Sequence, residues 1–174
     1  TAISVRSATV SIIRPSPTRV SRRATCNPWW PAVLLRRYDT AGGVEVTDYS
    51  TAACEFPTHD TRLTGSMQRY TYVSAQLEGD RGAIVKLDRT TGEQRTHEFG
   101  HQSFAGEPIF VPRSKDSDED DGWVLVVVFN GATNQNELHI LTAQAIDGSA
   151  AAVAELPSHS FPGFHGSFDR FEKY

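Results

Sequence analysis

From Pro31 onward the chain falls into short apolar-rich runs, each cut by Gly, Pro, Asp or Thr, the pattern of short strands separated by turns. "AVLLRRYDT" (Ala32 to Thr40) stops at Gly42 and Gly43, and "VEVTDY" (Val44 to Tyr49) alternates cleanly. "QRYTYVSAQL" (Gln68 to Leu77) ends at the turn sequence "EGDRG", "AIVKLD" (Ala83 to Asp88) turns through "RTTGE", and "QRTHEF" (Gln94 to Phe99) runs into Gly100. "EPIFVP" (Glu107 to Pro112), "WVLVVVF" (Trp123 to Phe129), "ELHILTAQ" (Glu137 to Gln144) and "AAVAEL" (Ala151 to Leu156) complete the set. About nine strands at roughly ten-residue spacing, with no helix longer than two turns, predict an all-β chain, either a sandwich or the blades of a propeller.

Composition changes this picture little: 174 residues, 39% hydrophobic and 22% charged, suffice for one domain with a real core. The longest apolar run, Trp123 to Phe129, is far too short to span a membrane as a helix. Cys26 and Cys54 lie far apart and without metal-ligand spacing, so neither a disulfide framework nor a zinc site is expected, and a reducing, cytoplasmic setting is the default. Charge changes the picture more. Residues 1 to 38 hold seven Arg and no acidic residue, whereas the remainder holds ten Lys/Arg against 21 Asp/Glu. Residues 1 to 30 are therefore set apart as a basic Ser/Arg-rich segment, expected to be disordered or foreign to the domain. Read instead as a transit peptide, the segment would place the protein in a plastid. Without interleaved aromatic residues it is not expected to bind nucleic acid.

Three residues carry the candidate chemistry. "FPGFHGSF" (Phe161 to Phe168) sets one imidazole, His165, among glycines that permit close backbone approach, as suits a metal ligand or simply a half-buried histidine in a turn. Glu55 in "CEFPTHD" and Glu107 in "GEPIFVP" each place a carboxylate beside an apolar residue and a proline, where a partner is needed. The loop Asp116 to Gly122 resembles a calcium loop only in its alternating Asp116, Asp118 and Asp120. Asp121 stands where Gly is required and Val127 where Glu is required, so a solvated acidic loop without calcium is expected. No G-x-S-x-G, phosphate loop or dinucleotide fingerprint occurs.

Taken in order, "EFPTHD", "GAIVKLDRTTGEQRTHEFG", "GEPIFVP" followed by "EDDGW", "ELHILTAQAIDG" and the closing "GFHG" resemble the C-terminal third of the carotenoid cleavage oxygenases, over about residues 32 to 168. That family includes stilbene-cleaving and retinoid-isomerising members. The resemblance implies a seven-bladed β-propeller with a non-haem Fe(II) on its axis, held by four histidines whose rings are oriented by glutamates. It implies His165 as the last iron ligand and Glu55 and Glu107 as orienting carboxylates, with Glu107 the more plausible partner of His165. A ligating imidazole must satisfy its second nitrogen, and a carboxylate does so while making the ring a better donor. The implied substrates are O2 and an apolar polyene or stilbene, cleaved at a C=C bond to two carbonyl products, with peripheral membrane contact in the complete protein.

The sequence departs from the family in lacking any histidine before His59, and residues 1 to 30 match nothing in it. One ligand cannot hold iron. Residues 31 to 174 are thus expected to be the last blades of an incomplete propeller, inactive in isolation. The alternative is a non-catalytic propeller fragment or pseudoenzyme in which Glu55, Glu107 and His165 are idle.

Overall fold

The computed structural model describes residues 8–13, 32–38, 44–48, 53–157 and 165–169. Twelve strands form three antiparallel sheets among these residues, and the helical content is two single 3-10 turns, Thr61–Leu63 and Ala143–Ala145. The first sheet has the order β1 (Ala8–Ile13), β2 (Ala32–Tyr38), β3 (Val44–Asp48). The second is a four-stranded meander of β4 (Ala53–Thr58), β5 (Tyr70–Leu77), β6 (Arg81–Asp88) and β7 (Gln94–His101). In the third, β8 (Ser103–Ala105) and β9 (Ile109–Pro112) both pair with β10 (Gly122–Asn130), which is followed by β11 (Gln135–Thr142) and β12 (Ala152–Glu155). Sheets of consecutive antiparallel strands, one after another along the chain, are the blades of a propeller.

All nine expected strands are present, most with shifted ends. Three were not anticipated: β1, β4 and β8. Ala8–Ile13 lies inside the basic segment expected to be disordered or foreign, yet it pairs antiparallel with β2 from Ala8 against Arg37 to Ile13 against Ala32. That expectation therefore does not describe Ala8–Ile13, and the rest of residues 1–30 lies outside the described residues.

Period-two alternation places the core. Tyr72 and Ile84 on the second sheet face Phe110, Val124, Val126, Val128 and Leu141 on the third, all buried, with the Tyr72 and Phe110 rings stacked at 5.7 Å. The intervening residues of the second sheet, Val73, Ala75, Ala83, Val85 and Leu87, form with Cys54 a second buried cluster on its opposite face. β5 and β6 are thus buried on both sides, and the polar Thr71, Ser74 and Lys86 are buried along with their apolar neighbours. Burying each large aliphatic side chain contributes roughly 1.5 to 3 kcal/mol. The β5–β6 turn works because Gly79 (φ 75°) and Asp80 (φ 53°) take left-handed backbone that most residues resist.

The acidic loop departs from expectation. Asp116 and Asp118 are exposed, but Glu119, Asp120 and Asp121 are half-buried and engaged. Glu119 accepts the Arg69 and Tyr70 backbone amides at 2.7 and 2.8 Å, Asp120 accepts Lys86 Nζ at 2.7 Å, and Asp121 accepts Arg113 Nε at 2.8 Å. The loop pins the second sheet to the third. No group of three potential metal donors forms among the described residues, here or elsewhere.

At the end of β6, Asp88 accepts Arg69 Nε and Nη2 (2.7 Å) and the amides of Thr90 (2.9 Å) and Thr91 (3.3 Å). The Arg69 guanidinium, with those amides, holds the carboxyl well below the usual carboxylate range. A depressed pKa stabilises the fold above the unfolded value near ~3.9 and loses that contribution as pH falls through the folded value. Thermal midpoints are expected to drop between about pH 4 and pH 2, and Asp88→Asn should lower the neutral-pH midpoint while flattening that drop. A variant with the same acid limb as the parent would show that Asp88 is not its source.

Candidate functional site

Residues far apart in sequence meet at one end of the second and third sheets. Glu107 sits in the turn between β8 and β9, and its Oε2 accepts the Gly166 backbone N–H at 2.9 Å across 59 positions of sequence. The same oxygen lies 3.4 Å from His165 Nδ1. The His165 side chain is 78% exposed, whereas that of Glu107 is 18% exposed. The carboxylate therefore clamps the backbone of residues 165–166 tightly and faces the ring at longer range. Gly166 suits this approach: a Cβ there would come within 3.0 Å of Ile109 Cδ1.

β4 supplies the third side. Its pairing with β5 shifts register between Glu55 and Thr58, a bulge in which Phe56 takes φ 53°. The Phe56 ring stands at 84° to the His165 imidazole with centroids 6.1 Å apart. Beyond the bulge, Thr58 Oγ1 donates to the Pro108 carbonyl at 2.8 Å, tying β4 to the Glu107 turn. Glu55, half-buried on β4 opposite Ser74, is next to Phe56 in sequence, and it is Phe56 that reaches the imidazole. Glu107 and His165 are thus brought together, whereas Glu55 is not among the residues that meet the imidazole. Sequence reasoning passed over Phe56, because its left-handed backbone leaves no mark in the sequence.

His165 and Glu107 border a cavity of about 530 Å3 that opens to solvent. Leu125, Val127, Phe129, Leu138 and Phe168 line it, on the face of the third sheet turned away from the core. An imidazole whose Nδ1 faces a carboxylate leaves Nε2 as the nitrogen available to a metal, in the manner of carboxylate–histidine–metal sites. An imidazole backed by a carboxylate has the chemistry of one donor to a divalent iron, and no group of three potential metal donors forms among the described residues. No described helix is long and apolar enough to cross a membrane.

Comparison with known proteins identifies the family. The profile of the RPE65 family, retinal pigment epithelial membrane protein, matches residues 11–170. The chain is 38% identical over 119 residues to apocarotenoid-15,15'-oxygenase of Synechocystis sp., covering 66% of this chain and 24% of that protein. It is 31% identical over 137 residues to lignostilbene-alpha,beta-dioxygenase isozyme III of Sphingomonas paucimobilis, covering 71% and 28%. A crystal structure of cobalt-substituted Synechocystis apocarotenoid oxygenase superposes with a TM-score of 0.73 at 32% identity, over 87% of this chain and 34% of that one. The chain thus spans about a quarter of the length of these curated relatives. With the family profile running from β1 to past His165, and the same blades found in the solved relative, the chain belongs to the RPE65 family of carotenoid cleavage oxygenases.

Proposed function

We propose that this chain forms the C-terminal blades of a seven-bladed propeller that cleaves a C=C bond of a carotenoid, apocarotenoid or stilbene with O2, and that His165 is one of four histidines holding Fe(II) in it. The observation that carries this is the Glu107–His165 pair at the mouth of an apolar cavity. The propeller portion takes in β1, since the family match begins at residue 11. When bound, the iron supplies the redox centre at which O2 is engaged and each new carbonyl receives one oxygen atom.

The chain's own part is positioning. Glu107 holds the 165–166 backbone in place and presents negative charge to Nδ1, so that the proton resides there and Nε2 stays a free donor. Glu55 is assigned a similar orienting role toward another ligand histidine of the full propeller, meaning this chain together with the family's preceding blades. Leu125, Val127, Phe129 and Leu138 keep the surroundings of the site apolar and poor in water.

Anaerobic Fe(II) loading followed by O2 uptake on an apocarotenoid and on a stilbene tests this reading. The full propeller should hold iron stoichiometrically and release two carbonyl products, whereas the 174-residue chain alone, in which no group of three potential donors forms among the described residues, should do neither. Glu107→Gln, which keeps shape and loses charge, should cost the full propeller about 10- to 100-fold in iron affinity or activity. Stoichiometric iron with turnover in the isolated chain, or no effect of Glu107→Gln, would refute the assignment.

A further inference from the structure

Among the described residues, few neighbours fix the orientation of a ring as exposed as His165, and the 3.4 Å separation from Glu107 Oε2 is too long to do so alone. The backbone is held by the 2.9 Å bond from Gly166, but that bond leaves the imidazole free to turn about its side-chain torsions. What stands against it is Phe56. The centroid distance of 6.1 Å and the near-perpendicular 84° are those of a favourable edge-to-face aromatic pair.

Phe56 reaches this position at a conformational cost. A bulky residue at φ 53° is a backbone outlier, and such outliers persist where surrounding structure over-determines them. Two features do so here: the register shift between Glu55 and Thr58, and the 2.8 Å bond from the Thr58 hydroxyl to the Pro108 carbonyl, next to Glu107. Bulges re-aim a side chain beside a functional site. This one aims Phe56 at the imidazole and anchors its strand to the turn that carries the carboxylate.

We propose that Phe56 is a positioning residue for His165: the strained bulge of β4 sets the plane of the imidazole while Glu107 sets which nitrogen faces inward, so that Nε2 is directed before a metal arrives. This rests on the assignment of His165 as a metal ligand. The division of labour gives Phe56 no contact with the reacting atoms, and it acts through the ligand alone.

The test has two arms. In the 174-residue chain labelled with 15N- and 13C-histidine, Phe56→Leu should remove the ring-current displacement of the His165 Cε1 and Cδ2 protons and raise ring mobility, while Phe56→Tyr should keep both near the parent. Phe56→Gly relieves the left-handed backbone but lacks the ring, and it should behave like Phe56→Leu. Unchanged His165 resonances in Phe56→Leu, or a Phe56→Gly variant that keeps the ring ordered, would overturn the proposal. In the full propeller, Phe56→Leu should lower cobalt(II) affinity by about tenfold and, in the Fe(II)-loaded protein, reduce kcat with KM held, and Phe56→Tyr should restore both. A raised KM with unchanged cobalt affinity would overturn it in favour of a substrate contact. Unchanged cobalt affinity in His165→Ala would instead remove the ligand assignment and the positioning role with it, while the first arm would still report whether Phe56 orders the ring.

Discussion

His165→Ala in the full propeller is expected to abolish double-bond cleavage and to weaken iron retention by more than the loss caused by altering an orienting carboxylate, which runs to about 10- to 100-fold. The variant should fold normally. In this chain the side chain is 78% exposed and belongs to neither buried cluster, so its removal takes nothing from the cores of these sheets, and the Gly166 amide keeps its bond to Glu107. An unchanged thermal midpoint alongside lost metal would separate a ligand from a structural histidine. On the proposed four-histidine set, removing one neutral donor leaves an incomplete set around a borderline divalent ion, and no group of three or more potential donors among the described residues stands ready to substitute. Metal analysis after gel filtration decides: a His165→Ala protein with stoichiometric iron and product formation would end the ligand assignment.

The largest stability effect is expected at Asp120. Lys86, on the buried strand β6, is only 6% exposed, and its ammonium is shared among Asp120 Oδ2 at 2.7 Å, the Ala143 carbonyl at 2.9 Å and the face of Tyr70 at 4.1 Å. Of these only the carboxylate carries a full compensating charge. Asp120→Ala would strand a buried cation, a change that costs about 3 to 5 kcal/mol, a large share of the ~5 to 15 kcal/mol that holds a typical domain together. Taking away both charges as Lys86→Met with Asp120→Ala should recover most of the loss, because a well-packed apolar pair can replace a buried ion pair at little cost. Urea midpoints of the two variants provide the comparison. If the single substitution leaves the midpoint in place, the pair is a surface contact and the loop is a solvated one after all.

That loop shows where sequence reading stops. "DSDEDDG" has the composition of solvated surface, and nothing local distinguishes Asp116, which is exposed, from Asp120, which meets a lysine 34 positions earlier. The strands were legible where turn residues cut the chain into short runs: β3 as the alternating "VEVTD", and β10 as an unbroken apolar run between "EDDG" and "NGATN". β4 escaped because Pro57 and a bulge interrupt its period, β8 because three residues are too few to show one, and β1 because its Ser and Thr sit in an Arg-rich stretch. Glu107 and His165 were found through the family's motifs, and their approach is a product of blade stacking that no spacing encodes. Phe56 was invisible for a different reason. Its contribution depends on a backbone angle, and phenylalanine is the last residue one would assign to a left-handed position.

The tie from Thr58 to Pro108 has a consequence for anyone transplanting this site. One oxygen of Glu107 serves both the Gly166 amide and the His165 ring, and the turn bearing it is fastened to the strand bearing Phe56. The smallest portable unit is therefore three segments: residues 55–58, 106–109 and 165–166, with their relative placement preserved. A scaffold given "GFHG" alone would inherit a flexible imidazole, and one given the histidine and glutamate without the bulge would inherit a ligand free to point elsewhere.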